Sequence, residues 1–441
     1  MLASPRPVSR LSGRFLCLGC RAAVFAAVFA LGLAPARRAR ATPAALVGAG
    51  PESVALAGGG ASLPLGPEAV LVNPAGLALL SRKTLLFGLR ATELSLAVTS
   101  HGASSPFPAE LSKGLDIGVA APLVAPKLDG WHAALGLFAE TPPDFLVRAH
   151  LPLAEVPSFP LLVGRTGSLD LGIGLGVGYG PVALGAGVEV LAELSGRDAV
   201  AGASGTPSGI GDELLPAWGP SLGANVDLGA WGRLGLAFHG VLRADFDVNV
   251  AQTTLAGVID IVPLNVQGIA HYEPLKLDAE YSKTLGAWTV LAGARYEHWS
   301  AFPGWLGATV ACPPGVACGT SPPPPPDYSD IVVPRLGVER SFETETLGFT
   351  ARAGYSFVPT PVPEQRGSAN ELDAARHALG LGYRVHLTRG LPLELDGALR
   401  LDFLVPRTNH KAGDAADGPL GAEVTPHGTL VTWAFSARIA L

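Results

Sequence analysis

The sequence predicts an all-β protein, an antiparallel barrel that crosses a membrane on its strands. Three observations carry this expectation. The 441-residue chain is 48% hydrophobic and only 15% charged, yet it holds no credible spanning helix. Long segments alternate apolar with small or polar residues. A basic and then apolar leader precedes them.

A spanning helix needs about 18 or more apolar residues with few breakers. Beyond residue 41, only 171–188 and 298–326 stay uncharged over that length. The first holds seven glycines and Pro181, and the second holds eight prolines. A mean hydropathy of +0.34 excludes disorder, which needs low hydrophobicity and high charge. The 56 glycines argue against an ordinary helical globule.

Residues 1–41 read as a secretory signal. Arg6, Arg10, Arg14 and Arg21 form a basic start, Ala22 to Ala34 an apolar core, and Ala39-Arg40-Ala41 a cleavage site. Cys17-Leu18-Gly19-Cys20 precedes the apolar core, whereas a lipoprotein box follows it. Without the signal, 24 basic face 37 acidic groups, a net charge near −13. Nucleic acid is then a poor partner, because phosphate binding needs clustered Lys and Arg. Cys312 and Cys318 flank a turn-rich segment with no His within ten residues. In an oxidising compartment they suit a small loop disulfide better than a metal site.

The alternation is clearest from Ser168 to Gly180. Leu169, Leu171, Ile173, Leu175, Val177 and Tyr179 share one parity, while Asp170 and four glycines share the other. Alternate side chains of a strand face opposite ways. The pattern returns over 233–250, 391–405 and 431–441, where Arg243, Asp245, Asp247, Arg400 and Asp402 occupy the polar parity. These runs of about 12 to 18 residues exceed the usual 5–6 of a soluble sandwich. A strand tilted across a bilayer needs about 9–11, and lipid forces the sheet to close. The polar parity, with Arg384 and His386, is expected to hold paired structural charges inside the lumen.

Fifteen candidate strands emerge, near 84–99, 113–124, 130–140, 168–179, 181–194, 215–229, 231–250, 260–272, 275–283, 286–299, 331–342, 346–357, 376–388, 391–405 and 429–441. A single-chain bacterial barrel has an even number, so one is false or split. The suspects are the first segment and the 275–283 and 286–299 pair. Short links at Gly180-Pro181 and 388–390 suit periplasmic turns. The long ones, 142–166, 196–214, 301–330, 358–375 and 406–428, suit extracellular loops.

Residues 42–83 do not alternate. Glycines, prolines and the step Asn73-Pro74 indicate tight irregular backbone, tolerated at membrane depth only inside protein. A plug in the lumen and a periplasmic tail both fit the composition. Gly58-Gly59-Gly60-Ala61, Glu68-Ala69 and Asn73-Pro74-Ala75-Gly76-Leu77 resemble the amino-terminal hatch of the long-chain fatty-acid transporter family of outer-membrane barrels, the FadL/TodX type. Arg352 to Tyr355, Pro361-Val362-Pro363, Asp373 to His377 and Gly380 to Tyr383 are similar to that family's late strands. The resemblance implies a 14-stranded barrel over 84–441 and a hatch over 42–83 that includes Asn73, Pro74, Ala75 and Gly76. It also implies passive inward passage of long-chain fatty acids or aromatic hydrocarbons, with a sideways exit through the wall. The location implied is the outer membrane of a Gram-negative bacterium, surrounded by its lipid, and the expected state is a monomer.

The 142–166 loop is unusually apolar. Phe145, Leu146, Phe159 and their neighbours suit capture of a hydrophobic ligand, with Arg148 and His150 placed to pair with a carboxylate head. A loop folding over its own small core is the plainer alternative. No enzyme is expected. Gly219 to Gly223 matches the G-x-S-x-G elbow, but that elbow needs a following helix, and Ala224 to Leu228 continues a strand. His377 and Asp373, four apart, are a poor metal pair in a strand, and no cofactor is expected. A general porin or a non-transporting barrel is the alternative function.

Overall fold

The computed structural model describes residues 44–108, 110–124, 130–141, 157–163, 169–192, 200–201, 207–208, 211–214, 217–250, 254–255, 259–260, 264–310, 326–366, 369–387, 392–411 and 421–441. The leader and the Cys312–Cys318 pair lie outside the described residues.

Fourteen antiparallel strands form a closed barrel. They are β1 (Thr84–Ser100), β2 (Glu110–Val124), β3 (Trp131–Thr141), β4 (Leu169–Tyr179), β5 (Val182–Ala192), β6 (Ala217–Asp227) and β7 (Arg233–His239). The remainder are β8 (Lys276–Leu285), β9 (Trp288–Glu297), β10 (Ile331–Glu343), β11 (Leu347–Val358), β12 (Arg376–Leu387), β13 (Leu393–Leu404) and β14 (Glu423–Ala440). Each pairs with the next. β1 closes on β14 from Thr84 opposite Ala440 to Ser100 opposite Val424. Closure leaves no unpaired edge, which lipid would not tolerate. The pairing carries one irregularity within the described wall, a register shift between Pro122 and Val124.

The two parities separate as the alternation requires. Leu184, Leu336 and Leu381 are 58–60% exposed on the outer face, whereas Asp116, Arg400 and Asp402 on the inner face are 1% exposed. Trp131, Tyr179, Trp231 and Trp288 are exposed near the short turns, as in an interfacial aromatic belt.

Two expected strands are corrected. The 231–250 segment is two strands, because the wall ends at His239. Gly240 donates to the carbonyl of Pro220 at 2.8 Å, and a Cβ there would meet Pro220 Cδ at 2.7 Å. The chain then leaves the wall as Leu242–Val250. That strand joins a separate four-stranded sheet with Gly211–Leu214, Leu264–Glu273 and Leu306–Val310. The 260–272 segment therefore lies outside the wall and is the surplus fifteenth candidate. Both suspected segments, β1 and the β8–β9 pair, are genuine wall strands. Arg243, Asp245 and Asp247 thus fall on a strand of this separate sheet, not on the wall strand expected for them.

Candidate functional site

Residues 44–80 fold inside the barrel. Three short helices, Ala44–Val47, Gly50–Ala55 and Ala69–Val72, lead to a 3-10 turn, Pro74–Leu79. Asn73 starts that turn in an extended conformation, as a residue before proline must. Its side-chain oxygen accepts from the Ala75 N–H at 3.1 Å. Its amide nitrogen donates to Ala61 O at 2.7 Å and to Ala224 O of β6 at 3.3 Å. One side chain thus caps the turn, ties two parts of the plug and fixes it to the wall.

The turn sits on glycines. A Cβ on Gly185 would lie 2.2 Å from Ala75 N, and one on Gly223 would lie 2.0 Å from Asn73 Oδ1. On Gly176 it would meet Ala78 N at 2.5 Å, and on Gly172 it would meet Val70 Cγ1 at 2.5 Å. The glycine ladder of β4 is therefore the seat of the plug. Only a residue without a side chain lets the backbone approach that closely.

The opposite side of the plug is held by charge. Buried Glu52 lies 2.6 Å from Arg384, 3.0 Å from Arg352 and 3.4 Å from Arg438. Asp396 supports all three cations, at 2.8 Å, 3.4 Å and 3.6 Å. Arg438 also pairs with Glu68. Glu280 of β8 accepts from the N–H groups of Gly60 and Ser62, both at 2.9 Å, and from the Ser62 hydroxyl at 2.7 Å. Arg90 and Arg400 each donate to a plug carbonyl, Gly48 O and Val47 O, at 2.8 Å. Paired and hydrogen-bonded charges are the form in which burial is tolerable.

Above the plug, the described parts of two long loops meet. Ser158 N–H donates to Asn370 O at 3.1 Å, and Leu372 N–H donates to Ser158 O at 2.8 Å. Phe159 and Leu162 are buried against Leu46, Val47 and Val54 of the plug, and Phe159 meets Phe107 edge-on at 5.0 Å. Leu161 joins Trp299, Phe302, Trp305 and Tyr328 in an aromatic cluster. Tyr328 donates to Glu371 at 2.7 Å. Burial raises the pKa of both groups, and the Glu371 charge raises the phenol further.

Between plug and loops lies a cavity of about 90 Å³. Leu161, Trp299, Ile331, Val333 and Val358 form its apolar lining, and Arg295, Arg335, Lys276, Glu273 and Glu189 its charged lining. The charges are already engaged. Asp278 binds Arg295 at 2.9 Å and Arg335 at 2.7 Å, Lys276 pairs with Glu273, and Glu189 meets His239 at 2.6 Å.

Among the expected site residues, Asn73, Pro74, Ala75 and Gly76 come together against β4 to β6. Phe159 is buried beneath the loops, away from water. Phe145, Leu146, Arg148 and His150 lie outside the described residues. Arg384, Arg400 and Asp402 face inward in ion pairs. Asp373 is buried and accepts from Thr360, while His377 faces outward against Tyr355, so the two do not form a metal pair. Ser221 sits buried within β6, which runs on as strand to Asp227, so no elbow forms at it. Glu52, Arg90 and Glu280 went unnoticed in the sequence, and Glu68 entered only through the hatch resemblance. The signal was available in their case: lone carboxylates in an apolar segment and charges on the inner parity require partners.

No protein-family model and no curated protein matches the chain. Solved structures do match. A Pseudomonas aeruginosa FadL homologue has 14% identity and a TM-score of 0.55, over 91% of this chain and 98% of that one. The P. putida toluene transporter TodX has 15% identity and a TM-score of 0.50, over 88% and 97%. At that identity the likeness establishes a shared fold.

Proposed function

We propose that this FadL-type barrel is an outer-membrane passive transporter, acting as a monomer, that takes up small hydrophobic molecules such as long-chain fatty acids or aromatic hydrocarbons. The observation that carries this is the cavity between plug and loops. Its apolar lining of Leu161, Trp299, Ile331, Val333 and Val358 would gain about 0.8 kcal/mol per methylene buried. The structural neighbours described as a FadL homologue and a toluene transporter support the same ligand class. In this reading the apolar loop 142–166, with Phe145, Leu146, Arg148 and His150, takes the ligand from outside, while Phe159 packs inward against the plug. A general porin needs an open aqueous lumen, and here the plug occupies it. The absence of enzymatic chemistry is part of the same proposal.

Trp299 lines the cavity, so tryptophan emission tests the proposal. Titrating the purified barrel with a long-chain fatty acid and with toluene should give saturable changes that Val333→Asp weakens. No saturable response to either ligand would end the reading.

A further inference from the structure

The outer wall carries two cations that serve neither plug nor cavity. Arg340 of β10 and Lys283 of β8 stand on the lipid-facing parity, where Leu336, Phe342 and Tyr281 are exposed. The Arg340 guanidinium lies 4.7 Å from the Trp288 ring centre and 4.4 Å from that of Phe342. Trp288 is its cross-strand neighbour. The Lys283 ammonium lies 5.9 Å from the ring of Trp231. Neither cation makes an ion pair among the described residues, and the carboxylate beside Arg340, Glu339, points inward to Arg352.

Both cations sit beside the short turns, in the exposed aromatic belt. A charge at the edge of hydrocarbon needs a counter-ion or water, and the belt fixes this level as that of the lipid headgroups. A planar guanidinium seated over aromatic rings keeps its five N–H donors for another acceptor, and their fork matches a phosphate. We propose that Arg340, Trp288 and Phe342, with Lys283 and Trp231 beside them, bind the phosphodiester headgroup of an anionic glycerophospholipid. The periplasmic side of the short turns selects a glycerophospholipid over a lipopolysaccharide phosphate. This inference needs the barrel in its membrane and is independent of what the lumen carries.

The test is native mass spectrometry of the barrel released from mixed phosphatidylglycerol and phosphatidylethanolamine. The wild type should retain phosphatidylglycerol preferentially. Each cation near a lipid surface contributes about fivefold in affinity, so Lys283→Ala with Arg340→Ala should lower retention by roughly 25-fold. Arg340→Lys keeps the charge and should retain the preference in part. Arg233→Ala, whose partner is Asp227 at the turn, should change nothing. Heat-dependent gel migration verifies that each variant is folded. Equal retention of both lipids by the wild type, or unchanged retention in the double variant, would overturn the site.

Discussion

Glu52 of the plug and Arg384 of β12 meet at 2.6 Å although 332 residues separate them. Arg352 and Arg438 close on the same carboxylate. Removing one partner of a buried ion pair costs about 3–5 kcal/mol, because the remaining charges are left uncompensated. Glu52→Ala should therefore loosen the plug more than the barrel. Planar-bilayer recordings should show no steady current for the wild type and frequent current bursts for the variant. A large steady current in the wild type would contradict a sealed lumen.

The glycine seat gives a steric prediction. Gly185→Val and Gly223→Val would drive side chains into Ala75 N and Asn73 Oδ1, 2.2 Å and 2.0 Å from an ideal Cβ. Both should displace the turn and raise protease cleavage within 44–80. Gly114→Ala is the control, since its nearest neighbour lies 3.8 Å away. Equal cleavage across all three variants would count against the seat.

Asn73 makes three hydrogen bonds that no other residue supplies in that combination. Asn73→Ala leaves buried backbone groups unpaired, each costing about 1–3 kcal/mol. Asn73→Asp keeps the acceptor for Ala75 N and loses both donated bonds. Both variants should melt below the wild type. Wild-type stability in both variants would remove Asn73 from its role.

A pH dependence is expected at the loops. Partial burial disfavours the Asp330 carboxylate, but hydrogen bonds from Tyr296, the Ser300 N–H and His298 outweigh it and depress its pKa. A depressed folded pKa contributes stability that is present above the unfolded value, about 3.9, and is lost as pH falls through the folded one. The 299–301 turn should loosen under acid, exposing Trp299. Its emission should shift to the red below about pH 4, and Asp330→Asn should show that shift at neutral pH. An acid response identical in the variant would assign it elsewhere.

The barrel was legible because lipid imposes a strict rule. One parity must be apolar for the full width of the membrane, and Leu169 to Tyr179 displays it without exception. The same periodicity misled at Leu242–Val250 and Leu264–Glu273, because a sheet outside the wall also has two faces. The bend at Gly240 depends on Pro220 of a neighbouring strand, a contact that local sequence does not display. Asn73 to Gly76 stood out through proline chemistry. The partners of Glu52 did not, since they come from β11, β12 and β14, some 300 residues away in the chain. Phe159 was expected to face water, and it is buried because the segments around 158 and 371 pair over the lumen.

Facilitated passage through a plugged barrel is tested most directly by uptake into vesicles. Labelled oleate and toluene should accumulate faster in proteoliposomes holding the wild-type barrel than in empty ones, with no accompanying ion leak. Val333→Asp should lower that rate while leaving the barrel folded. Uptake equal with and without the protein would contradict the transport function outright.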